Sequence, residues 1–193
     1  MFPLSKKLIL ASKSPRRQQL LADLGFEFEV RLKEVDEIFP DHIPLQEVAE
    51  YLAKLKADAF SPTLKADECC ITADTVVLSE NRILGKAWDV NEATEMLESL
   101  SGKAHEVITG VCLVTPTETH SFSVSTKVHF RGLEATEIAY YIEQFKPFDK
   151  AGAYGIQEWI GMIGIESIEG SYFNVVGLPT ERLFRELKRF EKA

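Results

Sequence analysis

Apolar positions along the chain fall in short blocks whose period switches between that of a strand and that of a helix. Leu8-Ile9-Leu10 is a continuous apolar run, read as a buried strand, and Ser14-Pro15 after it is a helix start with Ser as N-cap and Pro at the first helical position. Leu20, Leu21 and Leu24 form the inward stripe of that helix, and Gly25 ends it. Residues 26–32 alternate as a strand, and residues 34–41 read as loop. The clearest helix spans 45–60, with Leu45, Val48, Ala49, Leu52, Leu55 and Ala59 at helical spacing. A strand is expected over 69–78, turned at Glu80-Asn81, and an amphipathic helix over 91–100, ending near Ser101-Gly102. Strands over 105–115 and 120–130 make a hairpin around Pro116, and helices follow over 136–145 and 179–190. Between those last helices, residues 151–178 are punctuated by glycine and receive no element. Alternating helices and strands with hairpins predict an α/β fold whose twisted sheet is mixed and flanked by helices.

Composition narrows the class. A chain of 193 residues is long enough for a real core, in one domain or in two small lobes. Its 45% hydrophobic and 27% charged content is that of an ordinary soluble protein, and no run approaches the 18 apolar residues of a membrane span. Residues 1–7 lack the apolar region of a signal peptide, and three cysteines, two of them adjacent at 69 and 70, match neither a disulfide framework nor a zinc spacing. A cytoplasmic, reducing location is the expectation. The net charge of −8 argues against nucleic acid as a partner, because such binding rests on many phosphate contacts from basic residues. An acidic protein that binds a small anion has to concentrate its cations locally.

Where the cations stand is therefore informative. Stepping back along the first helix's stripe reaches Arg17, with Arg16 at its edge, so both sit in the first turn beside the positive end of the helix dipole. That placement suits an arriving anion, for which forked guanidinium donors and free backbone N–H groups are well matched. The alternative is that both arginines lie along the surface and pair with acidic side chains. Asp74 stands in the middle of the apolar run Thr72-Ala-Asp-Thr-Val-Val77, where an unpaired carboxylate is costly; a cation, metal or substrate would relieve it, and so would a structural hydrogen bond near a strand end. Lys56 follows Leu52 by one helical turn, and either snorkels over the core or points its ammonium into a cleft. Gly85-Lys86 could bring Lys86 close to Asp74 across a hairpin, although neither the P-loop nor the Rossmann glycine spacing occurs. His105, at a strand start, reads as a polar cap, and residues 149–157 and 170–179 carry glycines that permit close backbone approach. Asp36, Glu37, Asp74 and Asp149 suit Mg²⁺ held jointly with substrate phosphates, whereas no zinc ligand set exists.

Taken together, LASKSPRRQQLL (10–21), VDE (35–37), LAKLKA (52–57), TADTVV (72–77), LGK (84–86), LSGKAHEVITGV (100–111), DKAGAYGIQ (149–157) and GSYFNVVGLP (170–179) resemble the Maf family of nucleoside triphosphate pyrophosphatases, in family order and over nearly the whole chain. The resemblance implies an elongated, two-lobed α/β fold of the Maf/ITPase type with a central cleft. It also implies metal-dependent cleavage of a nucleoside triphosphate between the α- and β-phosphates, and members that often dimerise, so that a homodimer is among the expectations. It implies Asp74 as proton acceptor for the attacking water, Glu37 with Asp74 at a Mg²⁺ or Mn²⁺ ion, and Arg17, Lys56 and Lys86 on phosphates or developing charge. Ser12, Asp149 and Lys150, inside the matched motifs, join the substrate-binding set. Arg16, Thr75 and Gln157 look like the subgroup acting on dTTP and UTP, where a related subgroup acting on 7-methyl-GTP carries Trp, Gln and Glu. The Gln157 amide offers the donor and acceptor that a uracil or thymine edge requires. Two stretches depart from the pattern: Ala87-Trp88 where the family usually has Pro after Gly-Lys, and residues 158–163, which lack the usual glycine-rich form. A rival of another class is a nucleotide-binding regulator of septum formation without turnover; the intact Asp74 and Lys86 favour catalysis.

Overall fold

The computed structural model describes residues 4–190. Residues 1–3, which open the stretch read above as free of a signal peptide, and residues 191–193 lie outside the described residues. Strands β1 (Lys7–Leu10), β2 (Phe28–Val30), β3 (Glu68–Ser79), β4 (Arg82–Leu84), β5 (Ala104–Val114), β6 (Thr119–Phe130) and β7 (Ile165–Glu169) alternate with helices α1 (Pro15–Asp23), α2 (Val48–Phe60), α3 (Val90–Leu100), α4 (Ala135–Phe145), α5 (Trp159–Gly164), α6 (Tyr172–Val176) and α7 (Thr180–Leu187). The strands make one seven-stranded sheet in the order β2-β1-β3-β5-β6-β7, with β4 paired to β3. β1 is parallel to both β2 and β3, whereas β3–β4 and β6–β7 are antiparallel, so the sheet is mixed as expected. The chain divides into two compact units, the first made of residues up to Asp74, Thr109–Val124 and the stretch from Gly177, the second of Thr75–Ile108 and Ser125–Val176.

In the first unit, Leu8 pairs with Phe28 on one side and Cys69 on the other. Ile9, Ala53, Ala57, Phe60, Cys70, Cys112 and Val114 close its core. The buried face of α2 is Val48, Ala49, Leu52, Ala53, Ala57 and Phe60, while Leu55 and Ala59, read from spacing as part of the stripe, are only partly buried. Small residues explain the rotation. Ala53 lets the Thr72 hydroxyl reach its carbonyl at 2.6 Å, and Gly110 of β5 lets the backbone of α2 come so close that a β-carbon there would lie 2.3 Å from the Ala49 carbonyl oxygen and the Glu50 nitrogen. Residues 45–47, expected in the same helix, form a separate 3₁₀ turn. The strand expected over 26–32 shrinks to β2, an exposed edge on which Glu29 pairs at 2.7 Å with Arg31 just beyond the strand.

In the second unit, Ala93, Met96, Leu97 and Leu100 of α3 and Ile138, Tyr141 and Ile142 of α4 join one apolar core with Val77, Val107, Val128 and Phe130. Asp89 caps α3 by accepting from the Glu92 N–H at 2.9 Å. β3 turns into β4 through Glu80 and Asn81, both at positive φ (49° and 61°), a two-residue hairpin of the type that matches strand twist. The glycine-punctuated stretch, to which no element was assigned, contains α5, β7 and α6. Elements of six, five and five residues are too short for a period to show.

Candidate active site

In the first unit the cations and carboxylates singled out from sequence converge. Asp74 lies two residues beyond Thr72 on the same face of β3, a strand buried along nearly its whole length. The Thr72 bond to Ala53 fixes α2 against that strand, and Lys56 follows Ala53 by three residues, on the adjoining face. The Lys56 ammonium points neither into solvent nor along the core. It stands 2.5 Å from Asp74 Oδ1 and 2.9 Å from Glu37 Oε1. Lys56 and Asp74 are largely buried, their side chains 15% and 12% exposed, while Glu37 reaches in from an open loop at 51%.

The α1 start brings a third cation. Ser14 caps the helix through the Arg17 N–H at 3.4 Å, and the buried Ser12 hydroxyl accepts from the Ser14 N–H at 3.2 Å, which shapes the turn between β1 and α1. Arg17 turns inward, donating from Nε to the Gly177 carbonyl at 2.8 Å and from Nη1 to the Ala73 carbonyl at 2.9 Å. Main-chain carbonyls therefore offset part of the cost of holding a cation at the positive end of a helix dipole. Burial lowers the Arg17 pKa from its ordinary value, Asp74 and Glu37 pull it back up and Arg16 adds to the lowering. Arg16, one residue earlier, is half-buried in the same turn.

Asp74 and Glu37 both lie within bonding distance of one ammonium, so two carboxylates converge on one cation position. Oxygen donors of this kind fit a divalent cation such as Mg²⁺. Among the described residues no group of three or more His, Cys, Asp or Glu side chains could hold a metal ion. A pair of protein carboxylates fits an ion completed by water and substrate phosphates better than one in a closed protein cage.

The second unit holds the remaining candidates. Thr75 opens it directly after Asp74 and is half-buried. Lys86 is exposed, and its backbone bridges Ala151 while the Gly152 N–H donates to the Gly85 carbonyl at 2.9 Å, which ties its loop to residues 149–157. Gln157 is exposed at the end of that stretch. Lys150 is turned inward, its side chain 9% exposed and its ammonium 2.7 Å from Asp149 Oδ1 and 3.0 Å from Glu158 Oε1. Sequence reading missed two polar partners here. The buried Tyr141 hydroxyl donates to the Glu158 carboxylate and accepts from the Gly155 N–H at 3.0 Å. The only signal for Glu158 was a carboxylate interrupting an otherwise apolar, glycine-bearing stretch. His105 is a buried core histidine rather than a cap, 2.7 Å from the Tyr154 hydroxyl and edge-on to Phe130 and Tyr154, and burial pushes its pKa down to about 4.

Comparison with known proteins adds the chemistry's context. The family model described as Maf-like protein matches residues 7–190. Curated relatives named dTTP/UTP pyrophosphatase include those of Parabacteroides distasonis, 50% identical over 95% of this chain and 96% of that one, and Flavobacterium psychrophilum, 53% identical over 92% and 91%. Among solved structures, the Staphylococcus aureus Ham1 protein covers 94% of this chain and 100% of its own at 16% identity with a TM-score of 0.53, a likeness of fold.

Proposed function

This chain belongs to the Maf family, and from that premise we propose that it hydrolyses dTTP and UTP to the nucleoside monophosphate and pyrophosphate. The observation that carries the reading is the convergence of Asp74 and Glu37 on one cation position beside the inward-turned Arg17. Asp74 accepts the proton of a water that attacks the α-phosphorus, and pyrophosphate leaves with the bonding electrons. Lys56, with three donors of which two face carboxylates, holds the Asp74 carboxylate in place and directs its remaining N–H to a phosphate oxygen. Arg17, its guanidinium oriented by the Ala73 and Gly177 carbonyls, and Lys86 stabilise charge that develops on the phosphates. A divalent cation held by Asp74 and Glu37 would neutralise phosphate charge and make bound water more acidic. Arg16, Thr75, Asp149 and Gln157 are assigned to substrate contact and base choice, with Ser12 shaping the turn that presents the arginines.

Cys69, Cys70 and Cys112 are free and buried, which supports a reducing, cytoplasmic setting. Among the described residues no helix is long and apolar enough to cross a membrane. A homodimer is among the assemblies to be tested, by light scattering on the purified chain. One panel tests the activity: each nucleoside triphosphate is incubated with Mg²⁺ or Mn²⁺, and released pyrophosphate and orthophosphate are measured separately. Pyrophosphate from dTTP and UTP is expected. Orthophosphate alone, or no release from any nucleotide, would overturn the reading, the latter in favour of a binder without turnover.

A further inference from the structure

Glu158 stands at the N-terminal end of α5, directly after Gln157. Its carboxylate is the hub of a polar cluster inside the second unit. One oxygen is 3.0 Å from the Lys150 ammonium, and the other accepts from the buried Tyr141 hydroxyl. Tyr141 in turn accepts from the Gly155 N–H, and Lys150 reaches Asp149. The cluster thus fastens both ends of residues 149–157 to α4. Gly155 connects it to Gln157: a β-carbon there would lie 2.9 Å from Glu158 Cδ and 3.0 Å from Gln157 Nε2, so the Glu158 carboxylate and the Gln157 amide pack on one backbone atom. The turn is closed by the Glu158 N–H donating to the Gly155 carbonyl at 3.0 Å.

We propose that Glu158 is a positioning residue: with Tyr141 and Lys150 it clamps residues 149–157 and sets where the Gln157 amide and the Asp149 carboxylate stand, so that base selectivity depends on a side chain that does not touch the base. Lys150, paired with Glu158 and Asp149, is a member of this clamp. The proposal rests on the pyrimidine triphosphate reading above, and two separate readouts keep the failure of each distinguishable.

Hydrogen–deuterium exchange on the intact, nucleotide-free chain reads the clamp itself. Glu158→Ala should speed exchange over residues 149–157 by about tenfold and leave β7 unchanged. Unchanged exchange over 149–157 overturns the clamp. Pyrophosphate release reads the consequence. In Glu158→Ala the ratio of kcat/KM for dTTP to that for dCTP should fall about tenfold, mainly through KM, with kcat within about twofold. Glu158→Gln, which keeps an acceptor for Tyr141, should recover most of the ratio. Should Glu158→Ala fail to fold, Tyr141→Phe removes one hydroxyl, leaves the Lys150 pair and should shift both readouts in the same direction by less. Gln157→Ala separates the two ideas. A collapsed ratio in Gln157→Ala beside an unchanged one in Glu158→Ala sinks the positioning role alone. An unchanged ratio in Gln157→Ala sinks the base-choice reading on which it rests.

Discussion

A carboxylate buried in an apolar strand is tolerable only with a partner, and Asp74 has one in Lys56 at 2.5 Å. Asp74→Asn keeps shape and a hydrogen-bond acceptor while removing the base, so turnover should fall to background with the fold retained, as seen by circular dichroism; a folded, active variant contradicts the assignment. Lys56→Met has a different signature. It leaves the carboxylate buried without its cation, which should destabilise the protein by about 3 kcal/mol in denaturant unfolding as well as abolish activity. Lys56 fits snorkelling over the core as well as a cleft, and only the family resemblance singles it out. Asp74, by contrast, was legible in the sequence because it is a charge in an apolar strand, a local inconsistency that needs no knowledge of the fold. Glu158 and Tyr141 were not, because their bond joins residues 17 positions apart and a tyrosine on a helix's apolar face looks like any other core residue. The carbonyls that seat Arg17 were illegible for the same reason, since every residue carries a carbonyl and nothing in the pattern marks the one that is used.

Elements followed the pattern where they are long or bounded by clear turn residues. β3, α3, α4 and the turn at Glu80-Asn81 match the expected positions within about two residues, the usual fraying of element ends. The edge strand β2 is shorter than its alternation predicts, and the short elements of 151–178 escaped, because their stability comes from partners rather than from local period. The buried face of α2 shows how packing overrides spacing: alanines win over Leu55 because they let the helix approach Gly110. Gly110→Ala should therefore be severe. Its β-carbon would meet backbone rather than a movable side chain, and a loss of about 3 kcal/mol or failure to accumulate folded protein is expected in expression and thermal-melt assays. Gly155→Ala meets only the ends of the Glu158 and Gln157 side chains, so it should cost about 1 kcal/mol or less in stability while altering kcat/KM for pyrimidine triphosphates more than melting temperature does.

At the scale of the whole molecule, acid sensitivity has two windows. Burial holds His105 near pH 4 against an ordinary 6.5, so the unfolded chain binds more protons between those values. Stability contributed by neutral His105 is fully present above about pH 6.5 and is lost as pH falls towards 4, roughly 3 kcal/mol in all. Hydrogen bonds from Arg31 hold Glu68 down to about 2 from an ordinary 4.5, so its contribution is present above 4.5 and disappears in a second, more acidic step. Urea unfolding between pH 7 and pH 3 should show both, and His105→Gln should flatten the first while leaving the second. The two units are interleaved along the chain, which leaves and re-enters each of them. That interleaving gives the Arg17–Gly177 bond, which spans 160 residues, a consequence for the order of synthesis. A chain still emerging from the ribosome has made all of Thr75–Ile108 and Ser125–Val176 before the second of Arg17's two carbonyl acceptors exists. The second unit can complete first, and the unit carrying Asp74 waits for Gly177. Stalled or truncated chains that end before that residue would carry Asp74 and Lys56 while Arg17 lacks one of its two main-chain acceptors.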